Sequence, residues 1–173
     1  NSAKIPELVQ RAFQMATTGR PGPVAIELPE DLFKEKYDGA APTVDSRFGA
    51  APAFRPSPDP DSVRAASVLL ESARSPVMIV GGGAQISGAG AEVQALAERL
   101  ALPVATTLSG KGIIPEAHPL ALGVLGALGG TTVAHRFVED ADVIFAVGFK
   151  FGQNPTYRWT LPKAGQTIIH LDI

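Results

Sequence analysis

Cysteine is absent from all 173 residues, which excludes disulfides, thiolate metal sites and a cysteine nucleophile. Long apolar runs are missing too: none approaches the roughly 18 residues of a membrane-spanning helix. The opening stretch, residues 1–10, lacks the apolar core of a secretory signal. Charge is sparse and nearly balanced, with 15 basic against 17 acidic side chains and a net charge of −2. That balance offers nothing to nucleic acid or an anionic membrane surface. Histidine is scarce, with three copies. His118, His135 and His170 have no second histidine or carboxylate at metal-ligand spacing, and no nucleophile elbow or P-loop is present. The expectation is a soluble, cytoplasmic protein with no metal site and no catalytic set of its own.

What is present is a core. Hydrophobic residues make up 45% of the chain and charged residues 18%, enough for one full domain plus an appendage. Ile5, Leu8, Val9, Ala12, Phe13 and Ala16 recur at helical spacing. Gly19 is placed to end that helix, and Val24–Leu28 reads as a strand stopped by Pro29. One helix and one strand cannot bury both of their faces, so residues 1–36 are read as the tail of a preceding domain. Residues 37–58, with prolines at 42, 52, 56 and 58, read as an extended surface linker. A helix start follows: Asp59 caps, Pro60 takes the first helical position, and Val63, Ala66, Leu70 and Ala73 form the buried stripe.

From Pro76 the pattern alternates. Strand 77–80 precedes Gly81-Gly82-Gly83, and a helix runs around 91–100 with Val93, Leu96, Ala97 and Leu100 on one face. Strand 103–107 leads into a glycine-containing loop through Gly112. A glycine-rich run from Gly123 to Gly130 precedes a helix over 131–139, and strands 143–147 and 167–171 follow. Short apolar strands alternating with helices specify a doubly wound, Rossmann-like parallel α/β sheet over residues 59–173, carrying an N-terminal helix–strand arm. The last strand ends near Ile173, so the domain is expected to continue beyond it.

In such sheets ligands gather at the carboxyl ends of the strands. Gly81–Gly83, Thr107, Leu108, Lys111, the 126–130 loop, Gly148, Lys150, Asp172 and Ile173 would converge there. Exposed backbone N–H groups, two lysines and a carboxylate suit a dinucleotide or an ADP moiety. Ordinary NAD binding is disfavoured. Ile86 occupies the third glycine position of the dinucleotide fingerprint, and no acidic residue ends the next strand.

Three segments carry a family likeness: Gly19–Asp31 (GRPGPVAIELPED), residues 76–83 with 103–123 (PVMIVGGG and PVATTLSGKGIIPEAHPLALG), and residues 141–151 with 169–173. Together they resemble the central domain of thiamine-diphosphate-dependent enzymes of the acetolactate synthase and benzoylformate decarboxylase type. The resemblance implies an excised central domain with a short arm of its pyrimidine-binding predecessor, not catalytic alone. The parent would be a decarboxylase or carboligase acting on 2-oxoacids. Thiamine diphosphate and Mg2+ would be held by the pyrimidine- and diphosphate-binding domains, which are the implied partners within a homo-oligomer. The family's central domains hold FAD, ADP or nothing. Gly81, Gly82, Gly83, Thr107, Leu108, Gly148, Lys150, Asp172 and Ile173 match its flavin-contacting segments. Lys150 replaces a usual arginine, Gly152-Gln153-Asn154 follows Phe151 where two aspartates are usual, and Ala127-Leu128-Gly129 replaces a Met-His-Gly run. A standalone nucleotide- or flavin-binding regulatory module is the alternative reading.

Overall fold

The structure is a computed structural model that describes residues 2–37, 39, 43 and 45–173. Pro42 of the predicted linker lies outside them. The chain divides into two compact units, Asn1–Ser57 together with Ile173, and Pro58–Asp172.

In the first unit, helix α1 (Ile5–Thr17) forms where the apolar spacing predicts it, with a proline in its first turn. Gly19 follows it at φ +64°, a left-handed conformation that glycine adopts without a Cβ penalty. The predicted strand Val24–Leu28 is corrected: residues 21–29 carry no regular secondary structure. A strand is defined by the ladder it joins, and among the described residues no strand pairs with this segment. A 3-10 turn at Glu30–Lys34 follows. Another, Ser46–Gly49, packs against α1 and buries Phe48, whose ring meets Phe54 edge-on at 5.7 Å. Asp45 caps that turn by accepting from Arg47 N–H at 3.0 Å.

The second unit opens with α2 (Pro60–Ser72), capped as predicted. Asp59 accepts from Ser62 N–H at 2.8 Å and from its hydroxyl at 2.7 Å. Those bonds hold the Asp59 carboxyl below its ordinary pKa. The predicted buried stripe is corrected. No α2 residue is fully buried; Val63, Val68 and Leu69 are exposed, and Leu70 alone of the helix packs on the core.

Strands β1 (Pro76–Val80), β2 (Val104–Thr106), β3 (Ala121–Val124), β4 (Val143–Val147) and β5 (Thr167–Leu171) form one sheet in the order β3-β2-β1-β4-β5. Every pairing is parallel. Alternation along β1 divides the core in two. Val77 and Ile79 face the layer of α5 (Thr132–Asp140), with Ala134, Val138 and Phe149. Met78 and Val80 face the layer of α4 (Gly90–Leu100), with Val93, Ala97 and Leu102. The three inner strands are almost entirely buried, whereas β5 leaves Ile168 and Leu171 exposed.

Two elements depart from the sequence reading. A one-turn helix α3 (Gly82–Ile86) forms in the segment that opens with Gly81-Gly82-Gly83, ahead of the helix predicted around 91–100. Strand β3 lies where the glycine run was expected to begin. Its Gly123 sits at φ +87° beside a register shift in the β2–β3 ladder, with the Thr131 methyl where a Cβ would project. Thr131 fixes this corner by donating its hydroxyl to Leu122 O at 2.7 Å while capping α5.

Candidate functional site

Strand order reverses between β1 and β4, which places the ligand crevice of a doubly wound sheet at their carboxyl ends. Because all five strands are parallel, the loops carrying the predicted site residues leave the sheet at the same end. What they do there differs between the glycines and their flanks.

Gly81, Gly83 and Gly148 form a backbone-to-backbone junction. A Cβ on Gly81 would collide with Gly148 O, and one on Gly148, at φ +56°, with Ala84 N. Their amides are committed within the fold. Gly81 N–H donates to Val147 O at 2.8 Å, Gly83 N–H to Gly148 O at 3.0 Å, and Gly148 N–H to Leu171 O at 2.8 Å. The 107–110 loop closes the other flank: Thr107 N–H donates to Val80 O at 2.9 Å, and Thr107 Oγ1 accepts from Gly110 N–H at 3.1 Å. The missing side chain of Gly110 makes room for the Val80 carbonyl. Lys111 is ion-paired with Glu116.

Around this closed junction the rim is open. Lys150 and Leu108 are exposed. His170 bonds Phe149 O at 2.9 Å through Nε2; a carbonyl only accepts, so Nε2 carries the proton. The same nitrogen lies 3.5 Å from Asp172 Oδ2. Ile173 is exposed. The 126–130 loop is stitched to the segment after β4 by Asn154, whose Oδ1 accepts from Leu128 N–H at 2.8 Å and whose backbone carbonyl accepts from Ala127 N–H at 3.0 Å. Among the described residues, no group of three or more His, Asp or Glu side chains is arranged to hold a metal.

The remaining histidines act as struts. His118 Nδ1 accepts from Leu120 N–H at 3.2 Å, so Nε2 carries the proton and donates to Glu98 at 3.1 Å. Hydrogen bonds from Gln94 and then His118 hold the Glu98 carboxyl below its usual range. The His135 ring lies 4.3 Å from that of Tyr157.

Sequence reasoning missed the residues that tie the strands together at the end of the sheet opposite the crevice. Asp142 accepts from Arg74 N–H at 2.8 Å and Ser75 N–H at 3.0 Å, tying the entry of β1 to the entry of β4. These bonds lower its carboxyl pKa. Gln166 Nε2 donates to Val138 O and Ala141 O, each at 2.8 Å, and so satisfies carbonyls at the end of α5. A polar residue shortly before a predicted strand was the one available signal, and it is generic.

A second concavity lies at the opposite, amino-terminal end of the sheet. It is a groove of about 1000 Å3 between the ends of α2 and α4 and the side of α5.

The family model described as the thiamine pyrophosphate enzyme central domain matches residues 63–173. A probable acetolactate synthase large subunit from Methanocaldococcus jannaschii is 41% identical over 98% of this chain and 29% of its own length. The isozyme 1 large subunit of acetolactate synthase from Escherichia coli is 34% identical, with the same coverage of each. The crystal structure of benzoylformate decarboxylase from Polynucleobacter necessarius superposes with a TM-score of 0.73 at 26% identity, covering 98% of this chain and 31% of that one. The chain thus spans about three-tenths of the length of the proteins it matches.

Proposed function

The chain belongs to the thiamine pyrophosphate enzyme family, whose central domain it carries over residues 63–173, and from that premise we propose that it is the assembly core of a cytoplasmic enzyme acting on 2-oxoacids. Residues 1–36 are then the end of the preceding pyrimidine-binding domain, 37–58 a connector, and 59–173 the central domain. The observation that carries this reading is its extent: the likeness to acetolactate synthase large subunits runs over 98% of the chain, the first unit included. Held with Mg2+ by the flanking domains, thiamine diphosphate would supply an electron sink beside a carbonyl carbon. The task of this chain's residues is to hold those domains in place.

FAD or ADP would lie at the rim of the crevice, held by side chains and not by the glycine amides, which are bonded within the fold. Lys150 is free to face a phosphate, with Asp172 and Leu108 nearby on the same end of the sheet. Gly81, Gly83 and Gly148 shape the floor through the contacts they make with one another, and Thr107 flanks it through its bonds to Val80 and Gly110. The test is thermal unfolding with FAD, ADP or NAD in large excess. A ligand at a hundred times its dissociation constant adds about 2.7 kcal/mol, or roughly 2–8 °C of midpoint. A shift with FAD supports a flavin-bearing, acetolactate synthase-like parent, and a shift with ADP alone an adenine-nucleotide site. No shift with any of the three overturns the nucleotide part of the reading. The activity part is tested on the full-length enzyme: with pyruvate, thiamine diphosphate and Mg2+ it should release CO2, and failure on 2-oxoacids overturns it.

Homo-oligomerisation belongs to the same proposal. Leu8, Phe13, Val24 and Ile26 of the first unit are exposed, an apolar set that drives self-association.

A further inference from the structure

In the crossover from β4 to β5, Tyr157, Arg158 and Trp159 take φ of 49°, 59° and 62° in succession. Residues with a Cβ enter this left-handed region singly, in turns; three in a row cost free energy that their surroundings must offset. Thr156, 2% exposed, is the centre of that support. Its hydroxyl donates to Gly152 O at 2.8 Å and accepts from Trp159 N–H at 3.0 Å, while its carbonyl accepts from the N–H groups of Thr160 and Leu161. Gln153 O takes the Arg158 N–H at 2.8 Å. Tyr157 then packs on the core, but Arg158 is exposed and Trp159 is 67% exposed. Core packing therefore does not account for the strained backbone at these two residues, and strain held around exposed side chains is the pattern of a ligand clamp.

The indole is exposed but fixed. Its Nε1–H donates to Phe151 O at 3.2 Å, and among the described residues no aromatic ring or cation lies over its face. Phe151, itself left-handed at φ 51°, belongs to the rim of the crevice. Its ring lies 4.4 Å from that of Phe149 and 5.2 Å from that of His170, near the carboxyl ends of β4 and β5. The Lys150 side chain lies back over Gly152, its Cε 3.9 Å from where a Cβ would project. An ammonium group and a bare indole thus flank one peptide unit, 151–152. Neither Lys150 nor Arg158 is ion-paired among the described residues. A free cation recognises phosphate and a fixed aromatic face recognises a planar base; side by side they match a nucleotide.

We infer that Trp159 is the base platform of the crevice: the adenine of the bound nucleotide stacks on its indole while Lys150 faces the phosphates. This rests on the nucleotide reading proposed above and names what recognises the base, a task the glycine amides cannot perform because they are bonded within the fold.

Trp159 is the one tryptophan of the chain, so its emission reports on this position alone. The test measures binding heat with ADP and with FAD, and indole emission with ADP. ADP should bind and quench the emission, whereas ribose 5-phosphate, a sugar phosphate without a base, should leave it unchanged. Trp159→Ala should bind the nucleotide about tenfold or more weakly, and Trp159→Phe, which keeps a ring, should stay within about threefold of the unmodified chain. The emission comparison needs no variant, so the inference stays falsifiable even where Trp159→Ala folds poorly. Absence of binding heat with both nucleotides overturns the nucleotide reading and this inference together. Binding of ADP with unchanged emission, an equal response to ribose 5-phosphate, or a Trp159→Ala variant that binds as tightly as the unmodified chain overturns Trp159 as the platform and leaves the nucleotide reading standing.

Discussion

The two units of this chain differ in how they hold themselves together. In the second, the inner strands are sealed on both faces and buried side chains fill two layers. In the first, Phe48 is the one buried side chain among the described residues, while α1 leaves Leu8, Val9, Phe13 and Met15 exposed. Apolar patterning is equally clear in both sequences, so the contrast teaches that an amphipathic pattern specifies an element and not its burial. Burial needs a second surface. The second unit provides it internally through crossover helices. In the first unit it is the Ser46–Gly49 turn that packs against α1, and it covers little of the helix.

The sharpest way to break the second unit is at its glycine junction. Gly148→Ala places a Cβ on the Ala84 amide at a left-handed φ. The expected cost is about 3–5 kcal/mol, read as a lowered urea midpoint or loss of soluble protein. The matching change in the first unit is Phe48→Ala, which removes its buried anchor for roughly 2–4 kcal/mol. Here amide hydrogen exchange should accelerate along α1 while the β1 and β4 amides keep their protection. Uniform acceleration would mean that the two units unfold as one. Gln166→Ala should cost about 1–3 kcal/mol by leaving carbonyls at the end of α5 unpaired, visible as a smaller midpoint shift. The smallest effect concerns acid. The Asp142 pKa lies below its ordinary 3.8 because backbone amides bond the carboxylate. A depressed folded-state pKa contributes stability that is complete above the unfolded value and is lost as pH falls through the folded one. Asp142→Asn should therefore flatten the acid limb below about pH 4 and leave the slope near neutrality unchanged.

Much of the sheet was legible in the sequence because its strands are short apolar runs punctuated by glycine and proline. β1, β4, β5, the Asp59 cap and α4 stand where those signals place them. β3 was not, since a strand with glycine at its third position carries no alternation to read, and Thr131, seven residues beyond it, seats it. α3 escaped for a related reason: glycines are poor helix formers, and this turn is imposed by the loop after β4. For the candidate site, the sequence placed glycine-bearing loops at one end of the sheet. It could not say that three of those glycines face one another. That depends on pairing between β1 and β4, which no local window contains. The groove at the amino-terminal end of the sheet was invisible for the same cause, its lining coming from stretches as far apart as residues 70–76, 99–103 and 136–140.

The place of β1 in the middle of the sheet also sets a timetable. Its partner β4 arrives 67 residues later, as the bond from Ser75 to Asp142 marks. On a growing chain, β1 and β2 can pair early, but one edge of β1 stays unpaired until β4 has been made. Such non-local parallel pairing is slow to nucleate and leaves apolar edges open meanwhile. During synthesis this protein therefore passes through a state in which its central strand is its most vulnerable one.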